Sequence, residues 1–391
     1  MAGTVPSILL VAGAYAPEIS AAGLQCQAVA RVLRSRVRMS VLVTAVDPSL
    51  PSSEVIDGVH VTRVKVDVRR RASKTSASLR MVAKLSALVP SVDVVHLHGF
   101  SQKNVPVSLT ASAFRKPSVL TLHTSGQDEP QAADARGALA GWAFRSAKLI
   151  LPVSPNLVRR CEEAGIPAAK IRLTPNGVDL ERFTPATRDE RASLRREFGW
   201  RDEDRVIVFV GFFSRDKRPD LLFRAWARVV ERGVRAKLVY VGATASPYFE
   251  VDQTLAEEIR RAASALGPAG DVVFVPPTHA VERLYRAADV FALSSVREAH
   301  PVALLEAMAC GLPAVASRIE GATDAILEDG VNGRLVARDD EHAMAAALID
   351  LLSDPQCAAK LGQRARETVA ARFDIAQTAE RWLEAYTSVL R

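Results

Sequence analysis

Residues 294–311 read SSVREAHPVALLEAMACG, and this stretch decides the fold. It continues a short apolar run, VFALSS at 290–295, and enters a helical pattern starting at Pro301 or Val302. Proline suits a first helical turn, where its missing N–H would have no partner anyway. A buried strand feeding a helix through a short polar loop is half of a βαβ unit. The unused N–H groups of the first turn, with the helix dipole, form an anion site. Glu298 stands just before the helix and Glu306 about two turns inside it. Eight helical residues would separate them by ~12 Å, beyond the ~5–9.5 Å of a paired-carboxylate hydrolytic site. The two acids therefore hold different parts of one long ligand. A solvated helix face is the plainer reading of Glu306, but Leu304, Leu305, Ala307, Met308 and Ala309 around it are all apolar.

Outward from this stretch the same grammar repeats. Apolar runs at 7–12, 38–44, 59–64, 93–96, 118–123, 149–154 and 171–174 read as strands. Most are continuous in Val, Ile and Leu, as strands covered on both faces are. Helical patterns at 25–34, 76–88, 104–114, 134–146 and 155–164 separate them. The pattern breaks at 174–191, where Pro175, Asn176, Gly177 and Pro185 cluster with charges, and a linker is expected there. A second series follows, with strands at 206–213, 236–242, 271–276, 290–294, 313–317 and 333–336. Its helices are expected at 219–231, 248–266, 279–288, 302–310 and 341–352. The end, 355–390, is helical with a break near Phe373 and Asp374. The fold class is therefore α/β, with two Rossmann-like, doubly wound parallel-sheet domains. Their ligand is expected at the carboxyl ends of the strands, in the cleft between them.

Length and composition agree. The 391 residues suit two domains, and 48% hydrophobic with 24% charged residues excludes wholesale disorder. No run approaches the ~18 apolar residues of a membrane span, and the start lacks the pattern of a secretory signal. Cys26, Cys161, Cys310 and Cys357 have neither metal nor redox spacing and read as reduced thiols of a cytoplasmic protein. Net charge is +7 overall, but residues 1–185 carry +10 and the rest −3. The two halves are thus expected to meet different partners.

The 294–311 stretch resembles the Glu-x7-Glu signature of retaining GT-B glycosyltransferases, family 4 (glycosyl transferases group 1). Glu298 and Glu306 have the required gap, and Ala307-Met308-Ala309 and Gly311-Leu312-Pro313 follow in family order. Val210-Gly211 with Lys217-Arg218-Pro219-Asp220 resembles the family's donor-diphosphate loop. Pro175-Asn176-Gly177-Val178-Asp179 with Phe183 resembles its linker, 93–99 and 120–123 its amino-domain strand ends, and Asp329-Gly330 with Asn332-Gly333 its turn after the Glu helix. The resemblance covers about residues 8 to 340.

It implies transfer of a hexosyl-type group from a nucleoside-diphosphate sugar to an acceptor hydroxyl, with retention and without a metal or other cofactor. The acceptor would be a saccharide, a lipid-linked saccharide or a small molecule, in polysaccharide, glycolipid or natural-product synthesis. Residues 1–175, with a final helix of about 373–391 packed back on them, would bind acceptor; residues 190–370 would bind donor. Carried over residue by residue, Lys217 and Arg215 neutralise the leaving diphosphate, Glu306 takes the ribose hydroxyls and Glu298 lies near the donor sugar. Gly23, Gly211, Val275, His300, Pro301, Val302 and Ala303 complete the donor contacts. Glu18, His98 and His123 face the acceptor, His123 nearest the reacting centre. Two departures stand out. Phe212 occupies the position after Gly211 where the family usually has Arg, which is why Arg215 is enlisted. Ala299-His300 replaces the usual Gly-Phe after the first Glu.

Other signals are set aside. Asp202-Glu203-Asp204 spells an Asp-x-Asp metal motif but precedes a strand, at its amino end, and reads as a solvated loop. No zinc spacing, dinucleotide fingerprint or nucleophile elbow occurs. Residues 63–84 hold eight Lys or Arg against Asp67. Drawn as a helix, Arg80 and Lys84 oppose Leu79, Val82 and Leu85, a pattern that fits peripheral contact with an anionic membrane. Aromatic residues are absent there, which argues against nucleic acid. Two alternatives share these features: a nucleotide-sugar 2-epimerase or phosphorylase on the same fold, and a non-catalytic nucleotide-sugar-binding protein.

Overall fold

Six residues, Ser7–Ala12, all buried, form β1. They seed the first of two sheets in a computed structural model that describes residues 5–101, 103–245, 251–266 and 271–391. β1 pairs in parallel with β2 (Arg38–Ala45) on one side and β5 (Val94–His98) on the other. β3 (Ser53–Ile56), β4 (Val59–Lys65), β6 (Ser118–Leu122) and β7 (Leu149–Pro152) complete the order β3-β4-β2-β1-β5-β6-β7. Only β3 runs antiparallel, as an edge hairpin with β4 turning through Asp57-Gly58, both at positive φ. Asp-Gly is a strong hairpin signal, and the sequence reading passed over it. The connecting helices are α1 (Ala21–Leu33), α2 (Arg71–Leu88), α3 (Asn104–Ala113), α4 (Pro130–Ala135), α5 (Ala138–Arg145) and α6 (Pro155–Glu163). The single helix expected at 134–146 is split by Gly137, at φ 111°. The strand expected at 171–174 is only one bridge, Ile150 with Ile171.

The chain divides into two compact units. One runs to Gly177 and regains Ile375–Arg391; the other is Val178–Asp374. Residues 178–191, expected in a linker, thus belong to the second unit. Its first helix, α7 (Arg188–Glu197), opens on a capping box between Thr187 and Glu190. That Thr-x-x-Glu spacing was legible in the sequence.

The second sheet is wholly parallel, in the order β10-β9-β8-β11-β12-β13. Its strands are β8 (Arg205–Val210), β9 (Ala236–Val241), β10 (Val272–Val275), β11 (Val290–Leu293), β12 (Ala314–Ser317) and β13 (Arg334–Val336). Its remaining helices are α8 (Pro219–Glu231), α9 (Gln253–Ala265), α10 (Val281–Ala287), α11 (Val302–Ala309), α12 (Glu341–Ser353) and α13 (Pro355–Arg372). The part of the helix expected at 248–250 lies outside the described residues. Alternation along β8 sends Val206 and Val208 into one apolar cluster and Ile207 and Phe209 into the other, so both faces are covered. Strand order reverses between β8 and β11 here, and between β1 and β5 in the first unit. Open α/β sheets bind ligands outside the carboxyl ends at such reversals.

The last helix, α14 (Ile375–Leu390), returns to the first unit. It buries Ile375, Thr378, Ala379, Trp382, Ala385 and Tyr386, one helical face. The Asn-Gly motif has a packing reason here. A Cβ on Gly177 would lie 2.6 Å from Ile375 Cα, and the Gln25 amide brackets the Gly177 peptide with bonds of 2.7 and 2.9 Å.

The basic stretch is less open than its sequence suggests. Arg63 lies inside β4, 2% exposed, paired with Glu54 and donating to the Ala16 carbonyl. It cannot reach a membrane surface. The Arg71 side chain lies outside the described residues. α2 buries Ala77, Met81 and Leu85, whereas Leu79 and Val82, drawn on one side with Leu85, are 69% and 40% exposed. Among the described residues no helix is long and apolar enough to cross a membrane.

Candidate active site

In the second unit, three segments meet at the carboxyl ends of β8 and β11. Gly211 leaves β8 against Gly242, which holds φ at 148°; a Cβ on Gly242 would collide with the Gly211 carbonyl oxygen. The next turn carries Lys217, whose N–H donates to Ser214 O at 3.1 Å. Arg218 then takes a left-handed conformation (φ 49°), unusual without glycine, and Pro219 starts α8. The Arg218 guanidinium bonds Asp220 and pairs with Asp339. The loop after β11 fastens this turn. Ser294 Oγ lies 2.9 Å from Lys217 O and 2.8 Å from Arg218 O, the Val296 N–H donates to Asp216 O, and Arg297 pairs with Asp216. Glu298 is thereby brought to Lys217, with Nζ to Oε1 at 2.6 Å. Ser295 Oγ donates to the same oxygen at 2.7 Å.

Pro301 caps α11 without a side-chain hydrogen bond, and the helix's own ladder begins with the Leu304 and Leu305 amides bonding Pro301 O. The Val302 and Ala303 amides therefore lie outside that ladder. One and a half turns on, Glu306 is buried, and Tyr285 donates to its Oε2 at 3.1 Å. Burial raises the Glu306 carboxyl to about 7, against the opposing pull of the Tyr285 hydrogen bond. A carboxyl poised there accepts paired hydroxyls, while the ammonium at Lys217 suits a phosphate.

In the first unit, β5 ends in His96 and His98, and β6 is followed by His123. His96 is saturated: Nδ1 lies 2.8 Å from the Tyr386 hydroxyl and Nε2 2.8 Å from Thr121 Oγ1. It docks α14. His98 Nδ1 lies 3.1 Å from His123 Nε2, and Trp382 packs on His98 with ring centroids 4.8 Å apart. Burial lowers all three imidazoles, His123 to about 4. Each ring is thus neutral at pH 7 and carries one N–H. One N–H serves the His98–His123 bond. The other two nitrogens, His98 Nε2 and His123 Nδ1, share one proton and one lone pair, with no partner among the described residues. Beneath them Asp128 accepts the amides of Phe100 (2.7 Å), His123 (2.8 Å) and Thr124 (2.9 Å), tying the two strand ends together. Burial nonetheless raises its carboxyl to about 6.

The family described as "Glycosyl transferases group 1" matches residues 190–368, and "Glycosyltransferase Family 4" matches 22–182. A D-inositol 3-phosphate glycosyltransferase of Nocardiopsis dassonvillei is 30% identical over 385 residues, covering 92% of this chain and 87% of that one. Its counterpart from Kineococcus radiotolerans is 30% identical over 367 residues, with 86% and 82% covered. The chain is a family 4 glycosyltransferase. Its fold is GT-B: Anabaena HepE, solved with UDP and glucose, superposes with a TM-score of 0.80 at 21% identity, covering 98% of this chain and all of that one. Sucrose-phosphate synthase of Thermosynechococcus elongatus gives 0.79 at 20% identity, with 98% and 99% covered.

Not every residue singled out in this glycosyltransferase's sequence joins these clusters. Arg215 is 79% exposed and pairs with Asp252 at 3.0 Å, so its guanidinium is engaged at the start of α9. His300 is buried edge-on against Phe373, ring centroids 5.1 Å apart, as a packing residue. Gly23 is required by the chain itself: a Cβ would lie 2.6 Å from Ala14 O. Glu18 ties two loops by accepting the Val46 and Asp47 amides through one oxygen, while Oε2 is buried with no hydrogen-bond partner among the described residues. Val275 supplies a carbonyl to the Gly242 amide. Asp204, read as solvated, is buried and clasps Arg201 and Lys237. Sequence reasoning missed Tyr285, Ser294, Ser295, Asp128 and Trp382. Only Asp128 had a signal, an acid just before the Glu129-Pro130 start of a helix.

Proposed function

We propose that the enzyme moves a glycosyl group from a nucleoside-diphosphate sugar to an acceptor hydroxyl with retention of configuration, and needs no metal to do so. The observation that carries this reading is the meeting of Lys217 and Glu298 at the amino end of α11, with Glu306 buried in the same helix. The second unit then binds the donor. Glu306 accepts the ribose hydroxyls, the Val302 and Ala303 amides and Lys217 meet the diphosphate, and Glu298 faces the sugar. Arg215 would reach the diphosphate only by leaving its exposed pair with Asp252. As the sugar C1–O bond to the diphosphate breaks, C1 bonds the acceptor oxygen on the same face, and the acceptor proton passes to the departing phosphate oxygen. Lys217 and the helix amino end stabilise the charge that develops there.

The first unit binds the acceptor, with His98 and His123 offering one donor and one acceptor to a hydroxyl. Relatives named for inositol 3-phosphate, and the +10 charge of residues 1–185, favour a phosphorylated polyol as the first acceptor to try. The exposed cations Arg69 and Arg70 before α2 and Lys74, Arg80 and Lys84 along it, beside Leu79 and Val82, are the part of the basic stretch that would rest on an anionic bilayer. Binding to anionic vesicles at low salt, and its loss on neutralising those five, tests that point.

The site reading is tested by thermal shift against UDP, GDP, ADP and their sugars, each with and without chelator. Saturation at 100 times the dissociation constant adds ~2.7 kcal/mol. A metal-independent shift with one nucleoside diphosphate is expected, and its loss in Lys217→Met. Full turnover by folded Lys217→Met and Glu306→Ala proteins would refute the assignment.

A further inference from the structure

We propose that Glu298 is also a product-release residue, whose carboxylate competes with the nucleoside diphosphate for the Lys217 ammonium. This rests on the donor-site reading above. In the unliganded site the two groups form an ion pair, Nζ to Oε1 at 2.6 Å. The partners are unequally held. The Glu298 side chain is 6% exposed, its Oε1 also takes the Ser295 hydroxyl, and its loop is fastened through Val296 and Arg297 to Asp216. The Lys217 side chain is 29% exposed and hangs on a four-carbon stem, while its backbone is pinned by Ser294. The lysine is therefore the partner that moves, and the carboxylate stays.

Charge decides the sequence of events. A diphosphate carries more negative charge than one carboxylate and draws the ammonium away. In an intact donor the sugar hydroxyls can donate to the vacated carboxylate, so both halves of the broken pair are compensated. After transfer the sugar has gone and only the diphosphate remains. A buried carboxylate deprived of its cation is costly, and re-forming the pair removes that cost. Glu298 thus competes for Lys217 and weakens the hold on the product. The arrangement favours nucleotide sugar over nucleoside diphosphate without any contact to the base.

The test measures binding of UDP, GDP and ADP by calorimetry, and product inhibition by the one that binds. The proteins are the full chain and its Glu298→Gln, Lys217→Met and doubly substituted forms. Glutamine keeps the Ser295 hydrogen bond and the shape but not the charge. Glu298→Gln is expected to bind the nucleoside diphosphate about tenfold tighter, with an equally lower inhibition constant, while turnover falls. In the Lys217→Met background the same change should alter binding less than twofold. Glu298→Asp, which keeps the charge on a shorter arm, serves if the glutamine form does not fold, and should tighten binding in the same direction. Unchanged or weaker binding in Glu298→Gln, with Lys217→Met still weakened, overturns the competition and leaves the donor site standing. Equal tightening in both backgrounds also overturns it, because loss of general repulsion would then suffice. No effect of any variant on any nucleotide overturns the donor-site reading itself.

Discussion

Glu306→Gln should stabilise the enzyme at alkaline pH and not at acid pH. Burial raises the Glu306 carboxyl from 4.5 to about 7 in the folded chain. At ~1.4 kcal/mol per pKa unit, that shift amounts to ~3 kcal/mol. The folded value lies above the unfolded one, so the favourable term is complete below about pH 4.5 and is lost as pH rises through 7. Above that, the fold carries a buried carboxylate that the Tyr285 hydroxyl only partly compensates. Glutamine is neutral throughout, and its carbonyl can keep the Tyr285 bond of 3.1 Å. At pH 8 the variant should therefore exceed wild type by up to ~3 kcal/mol, and at pH 5 by no more than ~1. Two units need not unfold together. Amide exchange of residues 302–309 is therefore the suitable readout, each variant compared with wild type at the same pH. A gap that is the same at both pH values, or a wild type that is the more stable at pH 8, would refute the reasoning. Donor affinity should fall in the same variant, which gives a physical reason for keeping a costly acid there.

Further outcomes follow from the same geometry. Asp128→Ala should cost ~3–6 kcal/mol, because three amides lose an anionic acceptor; unchanged exchange at Phe100, His123 and Thr124 would contradict it. Gly242→Ala should cost at least ~2 kcal/mol and depress activity, since the new Cβ must displace the Gly211 carbonyl and the turn leading to Lys217. A variant with wild-type melting and kinetics would show that the turn yields freely. His123, lowered to about 4 by burial, should show no ring-proton titration by NMR between pH 5 and 8, so any pH dependence of turnover in that range would come from other groups.

Much of the fold was legible because its causes are local. The unbroken apolar runs of β1, β8 and β11 mark strands covered on both faces, and Pro155, Pro219 and Pro301 mark helix starts. Glu306 among apolar neighbours and Lys217 past a strand end were visible for the same reason: spacing along a helix or after a strand converts directly into position. The misreadings came where a local rule was passed over or overruled. Asp57-Gly58 turned β3 into a hairpin that went unread, Gly137 divided one helix, and the Thr187–Glu190 box placed a helix where a linker was expected.

The sequence by itself determined two α/β units, most of their order of strands and helices, and the acids and cations that stand at strand ends. Tertiary structure decided which of those groups are available. It gave Lys217 to Glu298, turned Arg215 outward to Asp252, packed His300 on Phe373 and buried Arg63 against Glu54. It also joined His98 to the His123–Asp128 loop, with Trp382 of α14 packed on His98. The physical reason is range. Periodicity and caps act over a few residues, whereas pairing and burial join groups such as Lys217 and Glu298, 81 residues apart, whose meeting no local pattern records.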